Sequence, residues 1–449
     1  MAGGPTRRPT MGNDRDDDEL AVRVGKAALP WTDADGPAFA RLFDRYADRR
    51  VVLLGEASHG TSDFYRARAA ATRRLIEHHG CTIVALEADW PDAALLDRQA
   101  RGRGGAADDD PAAFGRFPTW MWRNTDFAAF AAWLRDHNAN VPAERQVRIY
   151  GLDMYSLGQS MAAVLAYLDK VDPTAGRIAR QRYGCLAPWR KDPAAYGHAA
   201  LTSRHAECEQ AVLAQLRDLL ERRLEYAGQD GDDFFDAAQN ARLVAAAERY
   251  YRAMYLGSAQ SWNLRDTHMF ETLEHVLRAH GEGANAVVWA HNSHIGDAAA
   301  TEMGSVRDEI NIGQLCRERY GRAAALIGFG THTGTVAAAG QWEGPMEVMA
   351  VRPALAESYE CLMHRTDIPR FMLDMDGLDD GLRENLARQR LERFIGVIYR
   401  PETERYSHYV RASLTRQFDA YVWMDRTSAV TPLPTARREG LPDTWPFGL

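Results

Sequence analysis

Lysine is nearly missing from this sequence: Lys26, Lys170 and Lys191 stand alone, and every other long-chain cation is an arginine. With 62 acidic against 54 basic residues the formal net charge is −8. No Lys/Arg-rich run interrupts that balance, which argues against nucleic acid as the main partner, because such binding is driven by counterion release from phosphates. The lysine scarcity, set beside abundant alanine, reads as genome composition rather than function. Nothing approaches the ~18 consecutive apolar residues of a membrane span, and the N-terminal stretch carries no apolar segment of a secretion signal. No membrane association is expected. The five cysteines (Cys81, Cys185, Cys208, Cys316, Cys361) are odd in number, scattered and without a Cys-x-x-Cys pair. That pattern predicts no disulfide framework and no structural zinc, and points to a reducing cytoplasm. The nucleophile elbow GxSxG, the phosphate loop GxxxxGK[ST] and HExxH are all absent, and Gly328-Phe329-Gly330-Thr331-His332-Thr333-Gly334 misses the GxGxxG spacing. No cofactor is expected.

What remains is a well-marked alternation. Residues 1–18 are dense in Gly, Pro and charge and read as a disordered tail. The rest, 19–449, reads as one catalytic domain. Short apolar runs recur at 51–54, 82–86, 147–150, 286–289, 324–327, 395–399 and 420–423, with helical stretches between them. Continuous apolar runs of this length alternating with helices are how buried parallel strands read. The fold expected is α/β, a mostly parallel sheet with flanking helices. Residues 156–284 are Leu-, Ala-, Arg- and Glu-rich with apolar spacing near 3.6, which predicts a helical insertion or lid.

The ionisable residues fall at the ends of the apolar runs. Glu56 and His59 follow the first, Glu87 the second, Asp153 and Tyr155 the third, and His291 and His294 the fourth. In open α/β sheets ligands bind at the carboxyl ends of the strands, so these residues are expected to meet in one crevice. Arg68 adds to the set. It lies within the apolar stripe Phe64, Ala67, Ala71, Leu75 of the following helix, and a guanidinium on a buried face needs a carboxylate, Glu56 or Glu87. Glu and His are metal-ligand types, but the candidates sit on separate strands without the i, i+4 spacing of a zincin. The site is expected to be metal-free, with a neutral His59, oriented by a carboxylate, deprotonating water.

Six tracts carry a resemblance. They are LLGEASHGTSDFYRARAAATRRLIEHHGCTIVALEADWPDA (53–93), FGRFPTWMWRN (114–124), YGLDMYSL (150–157), SWNLRDTHM (261–269), WAHNSHIGDA (289–298) and IGVIYRPETERYSHY (395–409). Together they resemble the erythromycin esterase-like family over nearly the whole chain after residue 20. The resemblance implies a hydrolase that opens macrolide lactones with activated water, using neither a nucleophilic serine nor a required metal. By motif His59 corresponds to the general base, Glu56 and Glu87 to the acids around it, and Arg68 to the arginine nine residues after the base. One of His291 and His294 is the second histidine, and His291, nearer the strand end, is favoured. The expected partner is a small-molecule natural product, in a setting such as antibiotic resistance. Trp120, Trp122, Arg123 and Asn124 are expected to line the cleft or to pack against the helical insertion, and Asp153 and Tyr155 to face the substrate. The same Glu/His chemistry also suits a non-hydrolytic tailoring enzyme that opens an epoxide, eliminates water or closes a ring.

Overall fold

The computed structural model describes residues 12–103, 113–190, 193–202, 206–222, 226 and 231–434. Its strands are β1 (Leu29–Pro30), β2 (Val51–Leu54), β3 (Ile83–Asp89), β4 (Arg148–Asp153), β5 (Ala286–Trp289), β6 (Ala324–Ala339), β7 (Met346–Val351), β8 (Arg370–Asp374), β9 (Arg390–Arg393), β10 (Tyr409–Ala412) and β11 (Ala420–Thr427). Nine of them form one sheet in the order β1-β8-β11-β6-β2-β5-β3-β4, with β7 on β6. From β11 to β4 every neighbouring pair is parallel. The antiparallel strands β8, β1 and β7 are added at the margins, and β9 and β10 pair separately.

The apolar runs become central strands because both of their faces are covered. Val51, Leu53, Ile83 and Ala85 enter one core, and Val52, Leu54, Val84 and Leu86 the other. Each fully buried Val, Leu or Ile among them contributes roughly 1.5–3 kcal/mol. The span between β4 and β5 is helical among the described residues, from Leu157–Val171 through Gly231–Ala253 to Ser258–His280. Its apolar residues belong to the same core as Tyr150, Leu152 and Met154, so it flanks the sheet, and the Ser258–His280 helix runs back along β4. No helix among the described residues is long and apolar enough to cross a membrane.

Three expectations are corrected. Part of the expected tail is ordered: a helix spans Gly12–Ala27, and residues 1–11 lie outside the described residues. Its anchors were invisible in sequence, because Leu20, Ala21 and Val24 bury while Asp17 and Asp18 pair with the distant Arg390 and Arg365. The run 395–399 is not a strand of the sheet. It crosses the strand ends, making single bridges from Ile395 to Ser58 and from Ile398 to Ala339. Finally, Cys185 and Cys208, 23 residues apart, form a disulfide with their Cα atoms 5.8 Å apart. Folding of the helical span brings together two cysteines that spacing does not pair, so the cysteine pattern no longer speaks for a reducing compartment.

Candidate active site

Registration of the parallel strands builds the site. Leu54 lies beside Trp289, Trp289 beside Leu86, and Leu86 beside Gly151. Residues one or two positions further on therefore share one rim: Glu56 after β2, His291 after β5, and Glu87 and Asp153 in the last turns of β3 and β4. The β3–β4 register shifts between Leu86 and Asp89, an irregularity of the kind that re-aims a side chain at a strand end. A Cβ on Gly151 would come within 2.5 Å of the carbonyl oxygens of Ala88 and Asp89, so only glycine lets the two strands approach there. At Gly55 a Cβ would sit 2.1 Å from Asn292 Oδ1. Asn292 Nδ2 donates to the Phe329 carbonyl at 2.7 Å and Oδ1 accepts from Phe329 N at 3.2 Å, fastening the turn after β5 to β6.

Glu56 is fully buried. Its Oε1 lies 3.0 Å from His59 Nδ1, and its Oε2 accepts from Arg68 Nη2 at 2.5 Å. Of the two carboxylates open as partners for Arg68, the structure selects Glu56. Arg68 also lies over the Tyr65 and Trp289 rings, at 4.6 and 4.9 Å. Tyr65, one turn earlier on the same helix, donates to the His59 carbonyl at 3.0 Å. The His59 backbone is clamped as well, by His59 N to Ile395 O at 3.3 Å and Ile395 N to Ala57 O at 2.8 Å.

Glu87 is the hub of the other half. Its Oε1 accepts from Arg265 Nη2 at 2.7 Å and lies 3.3 Å from His294 Nε2 and 4.0 Å from His59 Nε2. Its Oε2 accepts from the backbone N of His291 at 2.8 Å. Arg265 grips Asp153 with two bonds, Nε to Oδ1 at 3.0 Å and Nη2 to Oδ2 at 2.7 Å, and lies 5.1 Å over Tyr155. His294 Nδ1 meets Asp266 at 2.9 Å, and Asp266 in turn accepts from Ile312 N at 3.0 Å. The His291 ring stands 4.8 Å from the His59 ring, with Nδ1 held by Ser293 Oγ at 2.8 Å.

Electrostatics separate the two histidines after β5. Burial pushes His291 well below the usual imidazole value, and the neighbouring His59 adds to the effect. For His294 burial acts the same way, but Asp266 and Glu87 outweigh it and raise it to about 9. At neutral pH His291 is neutral and His294 is an imidazolium. Burial also raises Glu87, yet His294, His59 and Arg265 prevail and hold its carboxyl well below the usual carboxylate range. In the protonated ring, Nε2 of His294 donates toward Glu87; in the neutral ring it can accept from Arg265 Nη1, 3.0 Å away. Both states have a partner, which suits a group that gives up a proton.

The structure thus brings together Glu56, His59, Arg68, Glu87, Asp153, His291 and His294, with Tyr155 beneath Arg265. It does not bring Arg123 and Asn124 there. Asn124 caps the Thr125–Ala139 helix, accepting from Phe127 N at 2.8 Å, and its amide donates to the Trp120 and Met121 carbonyls. Arg123 donates to the Ala113 and Pro434 carbonyls. Trp122 donates from Nε1 to the Glu87 carbonyl at 3.1 Å and packs against Tyr65, Phe114 and Phe127; Trp120 packs on Phe117. The expectation that Arg123 and Asn124 line the cleft is corrected, because backbone groups take up their side chains, and the tract packs in the second core, where Trp122 braces β3, rather than against the helical span.

Sequence reasoning missed Trp262, Arg265 and Asp266. The signal was present: 262, 265, 266 and 269 mark one face of a helix, and a charged pair on that face is the same clue that singled out Arg68. Among the described residues no group of three His, Cys, Asp or Glu side chains is disposed to hold a metal ion.

Comparison with known proteins bears on this arrangement. The chain is 30% identical to the erythromycin esterase type II of Escherichia coli over 113 residues, a quarter of each chain. It is 21% identical to the type I enzyme of the same organism over 313 residues, 64% of this chain and 70% of that one. Three solved structures share the fold. A Bacillus cereus protein has a TM-score of 0.77 at 19% identity, covering 93% of this chain and 99% of its own. A succinoglycan biosynthesis protein has a TM-score of 0.75 at 18% identity, covering 92% and 98%. A mutant of the erythromycin esterase EreC in its open conformation has a TM-score of 0.64 at 18% identity, covering 87% and 94%. The sequence model of the erythromycin esterase family matches residues 76–427, and the chain belongs to that family.

Proposed function

We propose that the protein hydrolyses an ester or lactone of a small natural product, macrolides being the first class to try, by attack of water activated at His59. Family membership supports a hydrolase-type function, and the relatives named erythromycin esterases motivate the substrate class. The observation that carries the mechanism is the 3.0 Å contact between Glu56 Oε1 and His59 Nδ1. Glu56 can only accept there, so the ring proton sits on Nδ1 and the Nε2 lone pair is left to take a proton from water. Arg68 supplies the counter-charge that a buried carboxylate requires.

The water oxygen adds to the carbonyl carbon as its proton passes to His59 Nε2. The His294 imidazolium stabilises the negative oxygen that forms, then gives its Nε2 proton to the departing alkoxide. Acid and alcohol leave, His59 gives its proton to solvent, and His294 takes one up from solvent to become an imidazolium again. Each general acid or base step contributes about 10² to 10⁴ in rate. Glu87 holds the two histidines in one frame, and Arg265 with Asp153 holds Glu87.

The test is erythromycin incubated with wild type and with His59→Ala, read by mass spectrometry. The expected product is the substrate plus one water, lost in His59→Ala while the fold persists. Undiminished turnover in His59→Ala would remove His59 as the base. A product isomeric with the substrate, or lighter by one water, would favour the cyclising or eliminating alternative.

A further inference from the structure

The Ser258–His280 helix addresses His294 three times. Asp266 meets Nδ1, Arg265 lies against Nε2, and Trp262, one turn before Asp266, covers the ring face. The indole and imidazole centroids are 4.6 Å apart with an interplanar angle of 6°. Both partners are constrained: His294 by Asp266 and Glu87 at its two nitrogens, and Trp262 as follows. The Trp262 Nε1 donates to the Ile310 carbonyl at 2.9 Å, and the indole sits in a small apolar cluster with Met303, Phe394 and Val410. This cluster is separate from the two large cores and stands beside both histidines, since Phe394 also meets the His291 ring edge-on at 5.8 Å.

A ring with carboxylates at both nitrogens must keep one plane to reach both. Rotation about χ2 would swing Nδ1 from Asp266 and Nε2 from Glu87 together. A flat, fixed neighbour on the face prevents that rotation, and an indole face, being electron-rich, also interacts more strongly with an imidazolium than with a neutral imidazole. We propose that Trp262 is a positioning residue for His294, holding its ring in the plane that reaches both Asp266 and Glu87 and stabilising it as the proton-carrying cation. The inference rests on the reading of His294 as the proton donor. The charged and titratable groups that face His294 are Asp266 and Arg265 from the same helix, Glu87 from β3 and His291 from its own turn. Trp262 is the uncharged member of that shell, so its removal isolates the ring-face contribution.

The test uses the full-length protein and reads His294 directly, by the titration of its Cε1–Hε1 resonance, which needs no substrate. In Trp262→Leu the His294 titration is expected to fall by roughly half to one pH unit, and in Trp262→Phe by less. Where hydrolysis is measurable, the alkaline limb of kcat should move by the same amount. A folded Trp262→Leu with an unmoved His294 titration overturns the proposal. Should that variant not fold, protein containing fluorinated tryptophan carries the test, because fluorine withdraws charge from the ring face with little change of shape. The titration then falls with the number of fluorines, and a flat series overturns the proposal. If the wild type turns over no ester, the hydrolase reading fails while the titration still decides what Trp262 does.

Discussion

Replacing Arg68 by methionine tests the buried pair on which the His59 half of the site depends. Arg68 and Glu56 are both fully buried, 2.5 Å apart, and the other oxygen of Glu56 is engaged by His59. Methionine keeps much of the side chain's bulk but leaves a carboxylate in the interior without a full counter-charge. Removing one partner of a buried ion pair costs about 3–5 kcal/mol, and loss of the contacts with the Tyr65 and Trp289 rings adds to it. For a chain of 449 residues, an unfolding entropy of ~2.1 cal/mol/K per residue makes each degree of Tm correspond to about 0.9 kcal/mol. The expected loss is therefore about 3–5 °C. Adding Glu56→Gln to Arg68→Met removes the stranded charge, while the amide oxygen still accepts from His59 Nδ1. The double variant should then be less destabilised than the sum of the singles by about 1–3 kcal/mol. Scanning calorimetry at one protein concentration and scan rate, with turnover of the same four proteins, completes the cycle. A folded Arg68→Met within a degree of wild type, or strict additivity, would refute the claim that Arg68 exists to balance Glu56.

Two further outcomes follow from named contacts. Asp266→Asn removes the carboxylate at His294 Nδ1, and burial then dominates, so the His294 titration should drop from about 9 toward or below the usual imidazole value. Because the folded value is raised, the protonated ring's contribution to stability is complete below about pH 6.5 and is lost as pH rises through about 9. Thermal scans should show that alkaline loss in wild type and a smaller one in Asp266→Asn; equal slopes would contradict the assignment. Reduction of the Cys185–Cys208 bond, which spans 23 residues, should lower stability by about 3 kcal/mol, and thiol titration in denaturant should count five cysteines instead of three. An unchanged Tm after full reduction would show that the helical span does not need the link.

Much of the site was legible because strand ends punctuate an α/β sequence. Glu56, His59, Glu87 and the two histidines after β5 each follow an apolar run, and Arg68 stood out as a charge on a helix face that had to be buried. The reading faltered where a residue's neighbours are remote in sequence. FPTWMWRN looked like a loop rich in binding groups, yet Asn124 spends its side chain on a helix cap and Trp122 on the Glu87 carbonyl. The run 395–399 has the composition of a strand but lies across the strand ends, with its partners at Ala57 and Ala339. Arg265 and Asp266 are marked in sequence as charges on an apolar helix face, but that helix begins more than 100 residues after β4, and nothing local says that it returns to the rim.

By itself the sequence determined the parallel sheet, through apolar runs that only a twice-covered strand can bury, and the rim on which the acids and histidines gather. Both follow from local pattern, which a single chain displays without reference to its fold. The tertiary structure alone decided that Arg68 answers Glu56 and Arg265 answers Glu87, that His291 is neutral and His294 charged, and that Cys185 meets Cys208. These depend on distances of a few ångströms between residues far apart in the chain, and charge, protonation and pairing in a buried site respond to those distances rather than to residue type.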